Sequence, residues 1–369
     1  MNQLFRWDQT GLFLLALAAG ILPFAVPEVC AAALREGLTL CSGPLLLSLF
    51  PFLVVSRLLV QCPESDLLAL PFRLAAWGIG IRTPCAARVL CIGFLGGFAP
   101  AASAAAQAVR TGQLTAEEAD ALLPACICSG PSFVVLTVGQ SLLGSAELGV
   151  LLFASQITAN YLTAALLNRF AGMHSVKPGS AAPAFPAPPR LDEILADAAI
   201  TYCKLCGFIL FFRMLAAGAG ALLPAGAGTL CAILLEVCSG CDLASRTGRW
   251  GSLLCCAALS VQGLSVLLQV RTICPPEMTL RPLYRSRLLH LPLSLALFYL
   301  LLPGGEADVF STLPARVLLM RRVPPDCALL VFAVCCMAAC ALRSGIRQVE
   351  QKQMARNAGG CCINSKTLL

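Results

Sequence analysis

The chain has 369 residues, of which 58% are hydrophobic and only 12% are charged, and its mean hydropathy is +0.81. Soluble domains carry about 25% charged residues, so this chain has too little charge to coat a water-soluble surface. It is predicted to be an all-α, polytopic helical membrane protein of the cell membrane, with the lipid bilayer as its main partner. The net charge of +7 is scattered rather than arranged in a stripe, which argues against a nucleic-acid partner.

The first membrane half is predicted to cover residues 1–170. Leu38–Val60 reads as a span interrupted by two prolines. Ala86–Arg110 is apolar and then rich in Ala and Ser, and two adjacent glycines followed by a proline predict a helix break inside it. Thr115 is expected to cap the next helix, whose first turn is acidic. A further apolar run, Leu148–Leu167, is predicted to cross the membrane.

A second helix break is predicted within Ala125–Gly144, whose sequence ACICSGPSFVVLTVGQSLLG is lipid-soluble but contains Ser-Gly-Pro. Each unpaired backbone N–H or C=O group costs several kcal/mol in hydrocarbon. Such a break must therefore be lined by protein, water or ligand. Ser129, Gly130 and Ser132 are therefore candidate solute-binding residues, offering hydroxyl and backbone groups. The alternative is a re-entrant hairpin that packs without binding anything.

The rest of the chain divides into three parts. Residues 171–190 are rich in Pro and Ala and read as a linker. Residues 191–342 contain the second membrane half. Residues 343–369 form a polar, basic tail, which the positive-inside rule places in the cytoplasm.

The two halves share a series of matched segments on either side of the linker. In chain order the pairs are LVVSRLL with ILFFRML (Arg57 with Arg213), LCIGFLGGF with LCAILLEVC (from Leu90 and Leu230), Arg-Thr-Gly with Arg-Thr-Gly (from Arg110 and Arg246), and GPSFVV with GLSVLL (from Gly130 and Gly263). Paired, interrupted apolar segments in corresponding halves are the usual sequence sign of a transporter-like binding site. The sequence therefore predicts two related halves, each with broken or re-entrant helices.

Four polar residues of the second half are further candidates for binding a solute. Glu236 is a carboxylate inside an apolar run, where it could pair with a nearby cation, titrate as a ligand group, or reach interfacial water from a helix end. Gln262 and Gln269 are two helical turns apart and share a face, with Ser265 between them. This polar stripe could bind a nucleobase or sugar, or it could join two helices.

Catalytic and cofactor signatures are missing from the sequence, which predicts neither an enzyme nor a bound cofactor. There is no GxSxG, HExxH or Walker A pattern. Most of the 21 cysteines lie in apolar runs, where a free thiol acts as a small apolar residue. Two CxxC pairs, Cys203–Cys206 and Cys238–Cys241, could supply four thiolates to a metal, but helix packing is the favoured interpretation and no metal site is predicted.

Five segments together resemble a known family. They are FPFLVVSRLLV (Phe50–Val60), GFLGGFAPAASAAAQAVRTGQLTAEEA (Gly93–Ala119), CICSGPSFVVLTVG (Cys126–Gly139), LLEVCSG (Leu234–Gly240) and GLSVLLQV (Gly263–Val270). In this order they resemble YlbJ-type sporulation integral membrane proteins of the nucleoside-recognition, or Gate, domain superfamily, over most of the chain.

The resemblance implies an endospore-forming bacterium, a role in making resistant spores, and a two-repeat, broken-helix architecture similar to that of concentrative nucleoside transporters. The function expected from it is transport or gating of a small polar solute, with nucleoside-like molecules as candidates. The alternative is a non-transporting membrane scaffold for spore envelope assembly, which would bind other envelope proteins or further copies of itself.

Overall fold

The computed structural model describes residues 9–62, 65–171 and 190–302. Helices make up 86% of these residues and no strand occurs among them, which confirms the predicted all-α class. Four helical segments are long and apolar enough to span a membrane: Pro27–Leu47, Ala146–Phe170, Leu191–Leu222 and Gly248–Ile273. The protein is therefore a helical membrane protein, as its composition predicts. The predicted linker, apart from its two end residues, and the basic tail lie outside the described residues.

The N-terminal helices differ in one respect from the sequence prediction. Their bounds are Gln9–Ala25 (α1), Pro27–Ser42 (α2), Pro44–Gln61 (α3), Ser65–Leu68 (α4) and Leu70–Gly78 (α5). The span predicted over Leu38–Val60 is divided at Gly43, so that Pro44 takes a first-turn position where its missing N–H costs nothing. Helices α4 and α5 are too short to cross a bilayer about 30 Å thick.

The next group of helices contains the first two predicted breaks. It comprises Pro84–Gly96 (α6), Phe98–Arg110 (α7), Ala116–Cys126 (α8), a π-helix at Ser132–Leu142 and Ala146–Phe170 (α9). Helices α6 and α7 fold back on each other at Gly97, since a Cβ built at Gly93 would lie 3.2 Å from the Cβ of Ala101. In an uninterrupted helix these two positions would be about 12 Å apart.

The last group of helices begins at Leu191. It comprises Leu191–Leu222 (α10), Ala225–Leu235 (α11), Val237–Ser245 (α12), Gly251–Val261 (α13), Gly263–Ile273 (α14) and Arg281–Leu301 (α15). Helices α11 and α12 also fold back, because a Cβ at Gly240 would lie 2.8 Å from the Cα of Ile233. Helices α13 and α14 are separated only by Gln262, which adopts a left-handed conformation with φ 65°.

Small side chains allow these short helices to pack closely. Every alanine of α7 is buried, and close approach of helix backbones in membranes depends on such residues. Helices of both groups share one apolar core. A polar link also joins them, because Asp120 of α8 accepts hydrogen bonds from the backbone N–H groups of Thr279 (2.8 Å) and Leu280 (3.0 Å), just before α15. The predicted cap at Thr115 is confirmed, since its hydroxyl accepts from the N–H of Glu118 at 3.1 Å.

Candidate functional site

The helix breaks of the first group lie against each other. The break predicted at Ser-Gly-Pro is present, since α8 ends at Cys126 and the π-helix begins at Ser132. The turn between α6 and α7 contacts this break directly, because a Cβ built at Gly97 would lie only 2.7 Å from the backbone N of Gly130. Gly97 has φ 82° and ψ −164°, a conformation almost restricted to glycine. The first folded-back pair is therefore held against the break by backbone contact.

The second group has an equivalent contact between its own breaks. A Cβ built at Gly263, at the start of α14, would lie 3.0 Å from the backbone N of Glu236, at the turn between α11 and α12. The two groups then meet through side chains, because the Gln262 Nε2 atom donates to the Ser129 hydroxyl at 3.4 Å. We call this meeting point of the four breaks the central junction.

Glu236 has a structural task that the sequence did not indicate. It is 2% exposed, and its carboxylate accepts hydrogen bonds from the N–H of Cys238 (2.8 Å), the N–H of Ser239 (2.7 Å) and the Ser239 hydroxyl (2.9 Å). It thereby caps α12. Among the described residues Glu236 forms no ion pair, which was one of the alternatives left open by the sequence, and the nearby cation Arg213 pairs with Glu36 of α2 at 2.6 Å.

The predicted glutamine stripe is interrupted, because Gln262 forms the left-handed turn before α14 and only Ser265 and Gln269 lie on that helix, but both glutamines have a free acceptor. Gln269 donates from Nε2 to the Ser265 hydroxyl at 2.9 Å, and Gln262 also donates to the Leu259 carbonyl at 2.6 Å. Both glutamines are at least 98% buried, yet neither Oε1 atom has a hydrogen-bond partner among the described residues. An unpaired buried carbonyl costs about 1–3 kcal/mol, so these two oxygens are the places where a solute donor would gain most.

The other predicted residues take different places. Ser129 is buried beside Gln262, and Gly130 faces the α6–α7 turn. Ser132 is half-buried at the start of the π-helix. Gln269 is about 10 Å further along α14 than Gln262, at the rise of an α-helix, so the stripe extends away from the central junction.

Arg287 of α15 is a central residue that was not predicted from the sequence. Its guanidinium lies within hydrogen-bonding distance of acceptors from three other helices or their ends: the carbonyls of Pro124 (3.5 Å), Ile127 (3.5 Å) and Ser260 (3.4 Å), and Asn160 Oδ1 (3.0 Å). These carbonyls end α8 and α13, where helix dipoles are negative. Arg287 directly precedes the apolar run of α15, which is the signal that would have identified it.

A second polar cluster lies beside Arg287 on α9, α13 and α15. Gln156 donates from Nε2 to the Ser260 hydroxyl at 3.0 Å, and Ser260 shares a 2.5 Å hydrogen bond with Ser294. Gln156 and Asn160, one turn apart on α9, therefore join helices, and both residues have protein partners. The described residues contain no group of three or more potential metal ligands.

Comparison with known proteins gave no match: no family model fits the chain, and neither a curated protein nor a solved structure was found to be similar to it.

Proposed function

We propose that this protein is a membrane transporter or gated pathway for a small polar solute, which binds at the central junction. The observation that carries this proposal is the contact between Ser129 and Gln262, which joins breaks from both groups, together with the unpartnered acceptor of Gln262. Interrupted helices that meet at one point are typical of transporter binding sites.

The order of elements supports two related halves. Each consists of a long helix (α3 or α10), a folded-back pair (α6–α7 or α11–α12), an interrupted helix (α8 with the π-helix, or α13–α14) and a second long helix (α9 or α15). The folded-back pairs act as re-entrant hairpins, since helices of 9–13 residues reach only about 14–20 Å. Each half then crosses the membrane three times, an odd number that gives the second half the opposite orientation, as in an inverted repeat.

The chemistry of the site indicates what the solute must offer. The free Oε1 atoms of Gln262 and Gln269 accept hydrogen bonds, so the solute must donate N–H or O–H groups. Nucleobase amino groups and sugar hydroxyls meet this requirement, in agreement with the resemblance to Gate-type sporulation proteins. Because Gly97 lies against Gly130, the first folded-back pair must move before a solute can enter.

Uptake into proteoliposomes tests this proposal. The purified full chain is reconstituted and offered a panel of nucleosides, and accumulation is measured by mass spectrometry. Gln262→Met removes the buried acceptor of the central junction at similar volume and is expected to lower uptake about tenfold, the effect of one hydrogen bond of about 1.4 kcal/mol. Gln140→Met, at an exposed position of the π-helix, is the matched control and should leave uptake unchanged.

Two results would overturn the proposal. One is wild-type uptake no greater than that of empty liposomes for every compound, and the other is equal uptake by the wild type and Gln262→Met. Either result would favour the alternative, in which the protein is a membrane scaffold for other envelope proteins and the central junction only packs helices.

A further inference from the structure

A separate polar cavity of about 130 Å³ lies at the end of the molecule where α7 and α14 finish. The side chains that line it and carry the argument are Arg57, Ser103, Arg110, Asp197, Thr201 and Lys204. They come from α3, α7 and α10, and none of them belongs to the central junction. A single water needs roughly 15 Å³, so the cavity can hold a group of several atoms.

Arg57 forms the inner wall of the cavity. Its side chain is 9% exposed and pairs with Asp197 at 2.7 Å. It also donates to the hydroxyls of Ser103 and Thr201, each at 3.2 Å. A guanidinium has five N–H donors in a planar fork, so about two of them remain after these three contacts. Arg57 is therefore both fixed in position and able to bind another acceptor.

Arg110 and Lys204 add positive charge at the mouth of the cavity. Both are exposed, and neither has a hydrogen-bond or ion-pair partner among the described residues. With Arg57 they bring three positive charges to a space that contains one carboxylate, Asp197, already bound to Arg57. The cavity therefore has an excess of two positive charges.

We propose that this cavity binds one phosphate-class oxyanion, supplied either as free inorganic phosphate or as the headgroup of an anionic lipid. The planar fork of Arg57 matches a tetrahedral oxyanion, which Arg110 and Lys204 would close from the outside. The hydroxyls of Ser103 and Thr201 hold Arg57 in the required orientation. The competing explanation for Arg110 is that it only offsets the negative end of α7, where it is the last residue.

Phosphate binding by the full chain in neutral detergent provides the first arm of the test. Inorganic phosphate is titrated by calorimetry at constant ionic strength into the wild type and into Arg110→Ala/Lys204→Ala. The double variant changes only exposed side chains and is expected to weaken binding at least tenfold. Arg246→Ala/Arg249→Ala removes the same charge from exposed positions outside the cavity and should bind within twofold of the wild type.

The second arm distinguishes the two sources of phosphate. The protein is placed in nanodiscs that contain either phosphatidylglycerol or only phosphatidylcholine, and the lipids that stay bound are identified by native mass spectrometry. If the wild type retains phosphatidylglycerol and the double variant retains less of it, the ligand is a lipid headgroup. Arg57→Lys, which keeps the charge but loses the fork, should weaken whichever ligand binds.

Equal binding of phosphate and of phosphatidylglycerol by the wild type and the double variant would overturn the inference. Because the cavity is separate from Ser129, Gln262 and Gln269, nucleoside uptake and phosphate binding can fail independently.

Discussion

The two folded-back pairs are closed at their turns by different means. Between α6 and α7 the turn is Gly97, which has no side chain and no side-chain cap, and lies against the backbone of Gly130. Between α11 and α12 the turn is Glu236, whose carboxylate satisfies the first N–H groups of α12. Both turns face a break in the following interrupted helix, at Gly130 and Gly263 respectively.

The first N–H groups of a helix that begins inside a membrane protein can be left uncapped, as in α7, or capped by a side chain, as in α12. At Glu236 the positive end of α12 is neutralised by its own chain, so it offers little to an anionic or carbonyl group. At Gly97 no side chain caps α7. The positive end of that helix is therefore better suited to an anionic or carbonyl group of a solute. The stability of the turn at Gly97 should therefore depend on close backbone contact, and that of the turn at Glu236 on one carboxylate.

The largest effect is expected for Gly97→Ala. The new Cβ would lie 2.7 Å from the N of Gly130, and the backbone conformation costs a non-glycine residue about 1–3 kcal/mol even without a clash. We expect the free energy of unfolding in detergent to fall by about 3 kcal/mol or more. Gly112→Ala is the control, because it has φ 70° but open space around it, and it should lose only about 1–2 kcal/mol. Equal losses would show that the contact with Gly130 is unimportant.

An intermediate effect is expected for Glu236→Gln. The amide keeps the size of the side chain but replaces one acceptor oxygen with a donor, which faces N–H groups that it cannot satisfy. Thermal and chemical unfolding should show a loss of about 1–3 kcal/mol. Thr115→Ala removes an exposed cap and should cost about 1 kcal/mol. A Glu236→Gln protein as stable as the wild type would contradict the assigned role of the carboxylate.

The smallest effect is expected for Gly130→Ala, on the other side of the same contact. Its Cβ would lie 3.4 Å from the nearest atom, the carbonyl O of Gly96, which is an ordinary contact. The loss of unfolding free energy should stay below about 1 kcal/mol. A loss as large as that of Gly97→Ala would mean that the two backbones are closer than described.

Local signals explain why part of this arrangement is predictable from sequence. Ser-Gly-Pro marks a break because Pro131 cannot donate a hydrogen bond, and Thr115 followed by Glu118 marks a capping box, so both were found. Helical periodicity grouped Ser265 with Gln269, which do hydrogen-bond to each other on α14, but it did not indicate the left-handed turn at Gln262.

The remaining features depend on contacts between distant parts of the chain. Arg287 reaches the carbonyl of Ile127 across 160 residues, and no local pattern encodes that contact. Glu236 was assigned to an apolar run because its neighbours are apolar, whereas the break at that position becomes evident only when α12 folds back on α11. Helix α10 runs without a break from Leu191 to Leu222, and Asp197 in its acidic first part pairs with Arg57 of α3, far away in the sequence.

The reach of Arg287 has a consequence for how the protein is made. The carbonyls of Pro124 and Ile127 are synthesised long before their guanidinium partner, with 160 residues between Ile127 and Arg287. At ribosomal rates of about 5–20 residues per second, this interval lasts roughly 8–32 s. During that time Asn160 of the first half can already donate to the carbonyl of Ile127, whereas the carbonyl of Pro124 must stay hydrated or sheltered by the insertion machinery until α15 arrives.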